Sequence, residues 1–100
     1  MPSYQVVVPH SLGIDEACGR LRVLLIEVRN DYAALMSDVS GSWTGNLLRF
    51  NFKAAGMPVS GELMVEEASV KVCGQMPLAA ALFRGRIEQT IREELRKLLT

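Results

Sequence analysis

Beyond residue 14 the hydrophobic period of this chain changes twice, and that change limits the folds open to it. From Ile14 to Leu35, apolar residues recur every three or four positions (Ile14, Ala17, Cys18, Leu21, Leu25, Val28, Tyr32, Leu35), which makes one continuous helical stripe. Between Asp38 and Gln75 that period gives way to short alternating runs separated by turns. It returns at Ala80, Phe83, Ile87, Ile91, Leu95 and Leu98. A chain that, from residue 14, reads helix, then strands, then helix belongs to the α+β class.

The elements can be placed within that frame. Tyr4, Val6 and Val8 alternate with Gln5 and Val7 over residues 3–9, a first strand ended by Pro9. Gly13 precedes Ile14-Asp15-Glu16, whose carboxylates complement a positive helix end, so a helix is expected from residue 13 or 14, stopping between Ser37 and Gly41. Four strands follow up to Gln75. Gly45-Asn46 is a hairpin turn before the strand carrying Leu48, Phe50 and Phe52, and further strands run from Val59 to Glu66 and from Ser69 to Gln75. Met76-Pro77-Leu78 opens the last helix, with Glu88–Arg92 and Glu93–Lys97 in the favourable order for ion pairs.

The expected architecture is therefore a single domain over residues 1–100, in the order β-α-β-β-β-β-α. An antiparallel meander of four to five strands packs on two helices. By element order alone it is analogous to a shortened helix-grip fold of the START and cyclase kind. A sheet–helix cleft would have Trp43, Phe50, Phe52, Leu63, Phe83 and Ile87 as its walls, and the same side chains could equally fill the core. Val23, Leu24 and Ile26 lie beside the first helix's stripe and broaden it beyond what one sheet contact needs. They are the expected interface of a homodimer.

Composition excludes several functions. Eleven basic and eleven acidic residues cancel, so no global positive field draws the chain to nucleic acid. The longest apolar runs, Val23–Ile26 and Pro77–Phe83, fall far short of the roughly 20 residues a membrane-spanning helix needs. Met1-Pro2-Ser3-Tyr4 carries neither a basic nor a long apolar segment, so export is not expected and a cytoplasmic location is.

Chemistry-bearing residues are few. His10 is the single histidine; with Ser11 and Asp15 nearby it invites an acid–base reading, but neighbours on one turn project apart and no G-x-S-x-G elbow is present. A backbone tie at a strand-to-helix junction is its alternative. Cys18 and Cys73 fall in apolar patterns and read as buried, reduced thiols, too far apart in sequence for a zinc knuckle or redox pair. The arginines of the last helix are interleaved with Glu88, Glu93 and Glu94, which suits a solvated face. No catalytic, cofactor or metal residue is assigned, and the chain is expected not to be an enzyme.

His10-Ser11-Leu12-Gly13, Ala17, Trp43-x-Gly45, Leu48-x-Phe50, Gly56, Gly61, Leu82, Ile87 and Ile91 together resemble the polyhydroxyalkanoic acid system family. The resemblance runs nearly end to end. It implies small bacterial proteins whose genes accompany polyester synthesis and granule genes, with no catalytic residues to carry over. His10, Gly13, Trp43 and Gly45 are its structural signature positions. This chain departs from the family in the apolar run Val23–Ile26, where members carry more charge. The expectation is an accessory protein of polyhydroxyalkanoate storage, acting through apolar helix faces on granules or granule-associated proteins. The alternative is a carrier or minimal enzyme holding a hydroxyacyl or lipid-like ligand in the cleft.

Overall fold

A computed structural model describes residues 2–100; Met1 lies outside them. Ser3–Pro9 forms β1, Gly13–Leu21 α1, Leu24–Asp31 α2, Met36–Thr44 β2, Leu47–Ala54 β3, Met57–Val65 β4, Ser69–Gln75 β5 and Arg84–Leu99 α3, with a 3-10 turn over Leu78–Phe83 ahead of α3. The protein is α+β, as its periods imply. Five strands make one antiparallel sheet in the order β1-β5-β4-β3-β2. β2 to β5 are a meander, and β1 adds at the far edge beside β5. The two helices between β1 and β2 therefore cross the sheet from one edge to the other.

Strict alternation sets the faces. In β1, Tyr4, Val6 and Val8 are buried while Gln5 and Val7 face outward. Their partners in register, Val72 and Val70 on β5 and Leu63 and Val65 on β4, continue the inner face. Leu21 and Leu24 from the first helical pair and Ile87, Leu95 and Leu99 from α3 complete the core against it. The other face of the sheet is open, which is why polar residues such as Gln5, Lys71, Glu62 and Arg49 occupy it.

One row of the inner face depends on glycine. Tyr4, Gly74, Gly61, Phe50 and Gly41 stand side by side across all five strands. The Tyr4 ring lies across the sheet and its hydroxyl donates to the Ser60 carbonyl at 2.9 Å. A Cβ on Gly74 would sit 2.0 Å from that carbonyl, and one on Gly61 would sit 2.5 Å from the Tyr4 hydroxyl. Only a bare backbone admits the ring there.

Three sequence expectations change in detail. The first helix is broken at Arg22–Val23 and ends at Asp31, ahead of the expected stop between Ser37 and Gly41. The break redirects α2 toward β2, where Arg29 donates to the Val39 carbonyl at 2.9 Å. From Met36 the chain pairs with β3, so backbone hydrogen bonds to a waiting edge override a helical stripe that ran on through Leu35. A bulge between Ser37 and Ser40, with Asp38 at φ 53°, interrupts this outer strand.

The second change concerns α3, which starts at Arg84; the residues from Leu78 form only a 3-10 turn. The third concerns the ion pairs expected along α3, which do not form among the described residues. Glu88 instead accepts the Gln5 N–H at 3.1 Å, covering the free edge of β1, and Arg92 donates to Gln89. Lys97 reaches across to α2.

Candidate functional site

The surface residues expected to form an interface separate. Leu24 is only 8% exposed and belongs to the core, because the break at Arg22–Val23 turns it toward the sheet. Val23 and Ile26 stay exposed on the outside of the helical layer. The expected cleft residues separate too. Phe52, Leu63 and Ile87 are buried, Trp43 and Phe50 half-buried, and Phe83 exposed.

Two hollows take up five of those six side chains. A small apolar pocket of about 50 Å³ lies under α2, lined by Phe50, Phe52 and Leu63 together with Leu25, Val28 and Leu95. An open groove of about 290 Å³ lies at the end of the molecule, where Phe83 and Ile87 face Tyr32, Leu35, Ala54 and Met57. Met36 and Thr90 line both, so the groove and the inner cavity are one side chain apart. Trp43 lines neither; the Arg22 guanidinium lies 5.9 Å from its ring centre, joining the helix break to β2.

The groove end carries the largest apolar exposure on the molecule. Three residues per turn in the 3-10 segment put Ala80 and Phe83 on one side, where they line the groove. Leu78 and Leu82 are left on the others, 79% and 90% exposed. Phe83 and Leu35, both over half exposed, line the groove itself, so four exposed apolar side chains lie on the groove or on the turn that borders it. Arg84 and Arg86 follow at once in the first turn of α3, and Arg86 also borders the groove.

A second constellation lies at the other end of α3. Lys97 Nζ stands 2.5 Å from Asp31, 3.4 Å from Glu27 and 3.5 Å from Glu94. Glu94 is 4% exposed, and its Oε2 has no hydrogen-bond partner among the described residues. Burial, then the neighbouring Asp31, pushes the Glu94 carboxyl above the usual carboxylate range, while the hydrogen bond from Lys97 holds Asp31 below it. The Lys97 ammonium is held well above the ordinary lysine range by the same Asp31 contact. This cluster clasps α2 to α3.

Residues 5–99 match the family described as "Putative polyhydroxyalkanoic acid system protein". The chain belongs to that family. No curated protein and no solved structure matches it.

The signature positions of this polyhydroxyalkanoic acid system protein occupy joints of its frame. Leu12 N–H donates to His10 Nδ1 at 3.1 Å, so Nε2 carries the proton and donates to the Glu66 carbonyl at 2.9 Å. Both ring nitrogens are thereby committed to tying the β1–α1 junction to the β4–β5 turn. Gly45 adopts φ 61° in the turn before β3, and its neighbour Asn46 donates to the Val65 carbonyl at 2.7 Å.

The cysteines depart from expectation. Cys73 is exposed on the open face of β5, since Val70 and Val72 take the inner positions, and Cys18 is only half-buried on α1. Burial pushes the Cys18 thiol up, against the pull of Arg22. No helix among the described residues is long and apolar enough to cross a membrane.

Val23 and Ile26 are exposed as the sequence implied, and the apolar surface that the sequence did not single out is the run ahead of α3. Pro77–Phe83 is as apolar a run as Val23–Ile26, but helical phase draws attention only to the surplus on the first helix. The available signal was the proline and the unbroken apolar run after it, which a 3-10 turn presents on several sides at once.

Proposed function

We propose that this protein is a non-enzymatic accessory component of polyhydroxyalkanoate storage that docks on the granule surface through its groove end. The observation carrying this reading is the exposure of Leu35 and Phe83 in the groove and of Leu78 and Leu82 on the turn that borders it, in a chain of that family. Covering the three side chains of the 3-10 turn is worth roughly 5 kcal/mol gross, at about 1.5–3 kcal/mol per fully buried side chain. Association costs offset much of it, so contact is reversible. The engagement of both His10 ring nitrogens supports a structural role for that residue over an acid–base one. The protein acts in the cytoplasm, where the granules lie.

Sedimentation with poly(3-hydroxybutyrate) particles tests this. Wild type is expected in the pellet and Leu78→Ser/Leu82→Ser in the supernatant, with unchanged circular dichroism. Equal pelleting of the two proteins would sink the assignment. With Leu24 in the core, Val23 and Ile26 alone offer little area for a dimer, and light scattering is expected to return a monomer.

A second reading is favoured by the groove volume. About 290 Å³ backed by the inner cavity is close to the roughly 300 Å³ of a small-ligand site. The helix-grip likeness, a sheet holding its last helix across one face, suits the same use. Here the protein would carry a hydroxyacyl or similar chain. Titration with 3-hydroxyoctanoate followed by NMR tests it: saturable shifts at Met36 and Ile87 favour the carrier, and their absence removes it. Trp43 fluorescence is a poor reporter because that ring lines neither hollow.

A further inference from the structure

Positive charge without a partner coincides with the apolar turn that borders the groove. Arg84 and Arg86 are exposed, occupy the first turn of α3, and make no ion pair among the described residues. A helix start is a poor place for cations, because the helix dipole already leaves partial positive charge there. Neither the 3-10 turn nor the first turn of α3 contributes an acid to offset them. Elsewhere Arg20, Arg49, Lys53, Lys71 and Lys97 each stand within 4 Å of a carboxylate. Arg22, Arg29, Arg92 and Arg96 also lack an ion pair among the described residues, but Arg22 lies over the Trp43 ring, Arg29 donates to the Val39 carbonyl, Arg92 donates to Gln89, and Arg96 sits in the last turn of α3, where the helix dipole favours a cation. Arg84 and Arg86 have none of these and stand next in sequence to Leu82 and Phe83.

We infer that the groove end seats on an anionic phospholipid surface, with Leu78, Leu82 and Phe83 entering the acyl boundary and Arg84 and Arg86 meeting headgroup phosphates. A neutral polyester would satisfy the leucines and leave two arginines next to a surface that offers them no counter-charge. Apolar side chains flanked by basic ones have the composition of an interfacial anchor, and phosphate supplies the missing anion. Guanidinium groups suit it further, since they bond two phosphate oxygens at once. The inference takes from the proposed function only the location of the docking face.

Sedimentation of the full chain with sucrose-loaded phosphatidylcholine vesicles, with and without phosphatidylglycerol, tests it. Each basic residue near an anionic surface contributes about fivefold in affinity, so the two together give a preference of roughly 25-fold for the anionic vesicles, weakened by salt. Arg84→Gln/Arg86→Gln is expected to bind both vesicle types equally and weakly, and Leu78→Ser/Leu82→Ser to bind neither. All four residues are exposed, so unchanged circular dichroism is expected of both variants.

No preference for anionic vesicles in wild type, or a preference kept by the arginine variant, overturns the inference. Binding to bare polyester particles without binding to anionic vesicles overturns it as well and leaves the granule reading standing. Binding to anionic vesicles through Arg84 and Arg86, without binding to polyester, supports it and counts against the granule reading.

Discussion

The two ends of α3 are built to opposite specifications. At its C-terminal end Leu95 and Leu99 are buried, Lys97 gathers Glu27, Asp31 and Glu94, and Arg20 of α1 donates to the Thr100 carbonyl. At the N-terminal end Leu78, Leu82 and Phe83 project into solvent and two arginines stand unpaired. The difference teaches that apolar content alone does not locate a core. Both ends are rich in leucine, but only one end has other elements packed around it.

The contrast is broken most severely from the packed end. Leu95→Ala removes a fully buried side chain and is expected to cost about 2–5 kcal/mol, read as a fall in the urea midpoint. Leu82→Ala, the same truncation at the bare end, is expected to stay within about 0.5 kcal/mol of wild type in that experiment. A loss at Leu82 comparable to that at Leu95 would mean the 3-10 turn packs more tightly than its exposure indicates.

The glycine row offers a second large effect. Gly74→Ala places a Cβ against the Ser60 carbonyl and the Tyr4 hydroxyl and is expected to cost about 1–3 kcal/mol or more. Gly85→Ala, where nothing stands within 4 Å, is expected to be neutral or slightly stabilising through helix propensity. Thermal melts of the two variants side by side would show whether the sheet really needs its bare strip.

The smallest effects come from the clasp. Glu94 keeps its proton in the folded state at pH values where the unfolded chain has released it, because its folded pKa is raised. Stability is therefore expected to fall as pH rises across the interval between the ordinary and the raised value, and Glu94→Gln is expected to abolish that fall. Below that interval the depressed Asp31 acts in the other sense, and its contribution is lost on acidification. Chemical denaturation from weakly acid to neutral pH checks the first sign. An identical slope in the variant would place the dependence elsewhere.

How legible all this was in the residues differs from element to element. β1, β3, β4 and β5 follow from alternation, because each has one face on the core and one in water. The break between α1 and α2 was hidden, since Leu21 and Leu25 keep helical spacing across it. β2 was harder still: Ser37, Ser40, Gly41 and Ser42 give no alternation, and its strand character comes from pairing with β3.

At the candidate site, the apolar character of Phe83 and Ile87 was readable and their placement was not. Ile87 faces the core while Phe83 points outward, because a 3-10 turn and an α-helix meet between them and their rotations do not add up to one stripe. The partner of Lys97 was equally out of reach. Helical spacing names Glu93, but the ammonium finds Asp31 on another element.

The central claim is that the groove end is the docking face, and hydrogen exchange in the presence of poly(3-hydroxybutyrate) particles tests it most directly. Amides of residues 78–86 should gain protection on the particles while those of residues 92–99 stay as they are in free protein. Protection centred on Val23 and Ile26, or none anywhere, would contradict the account.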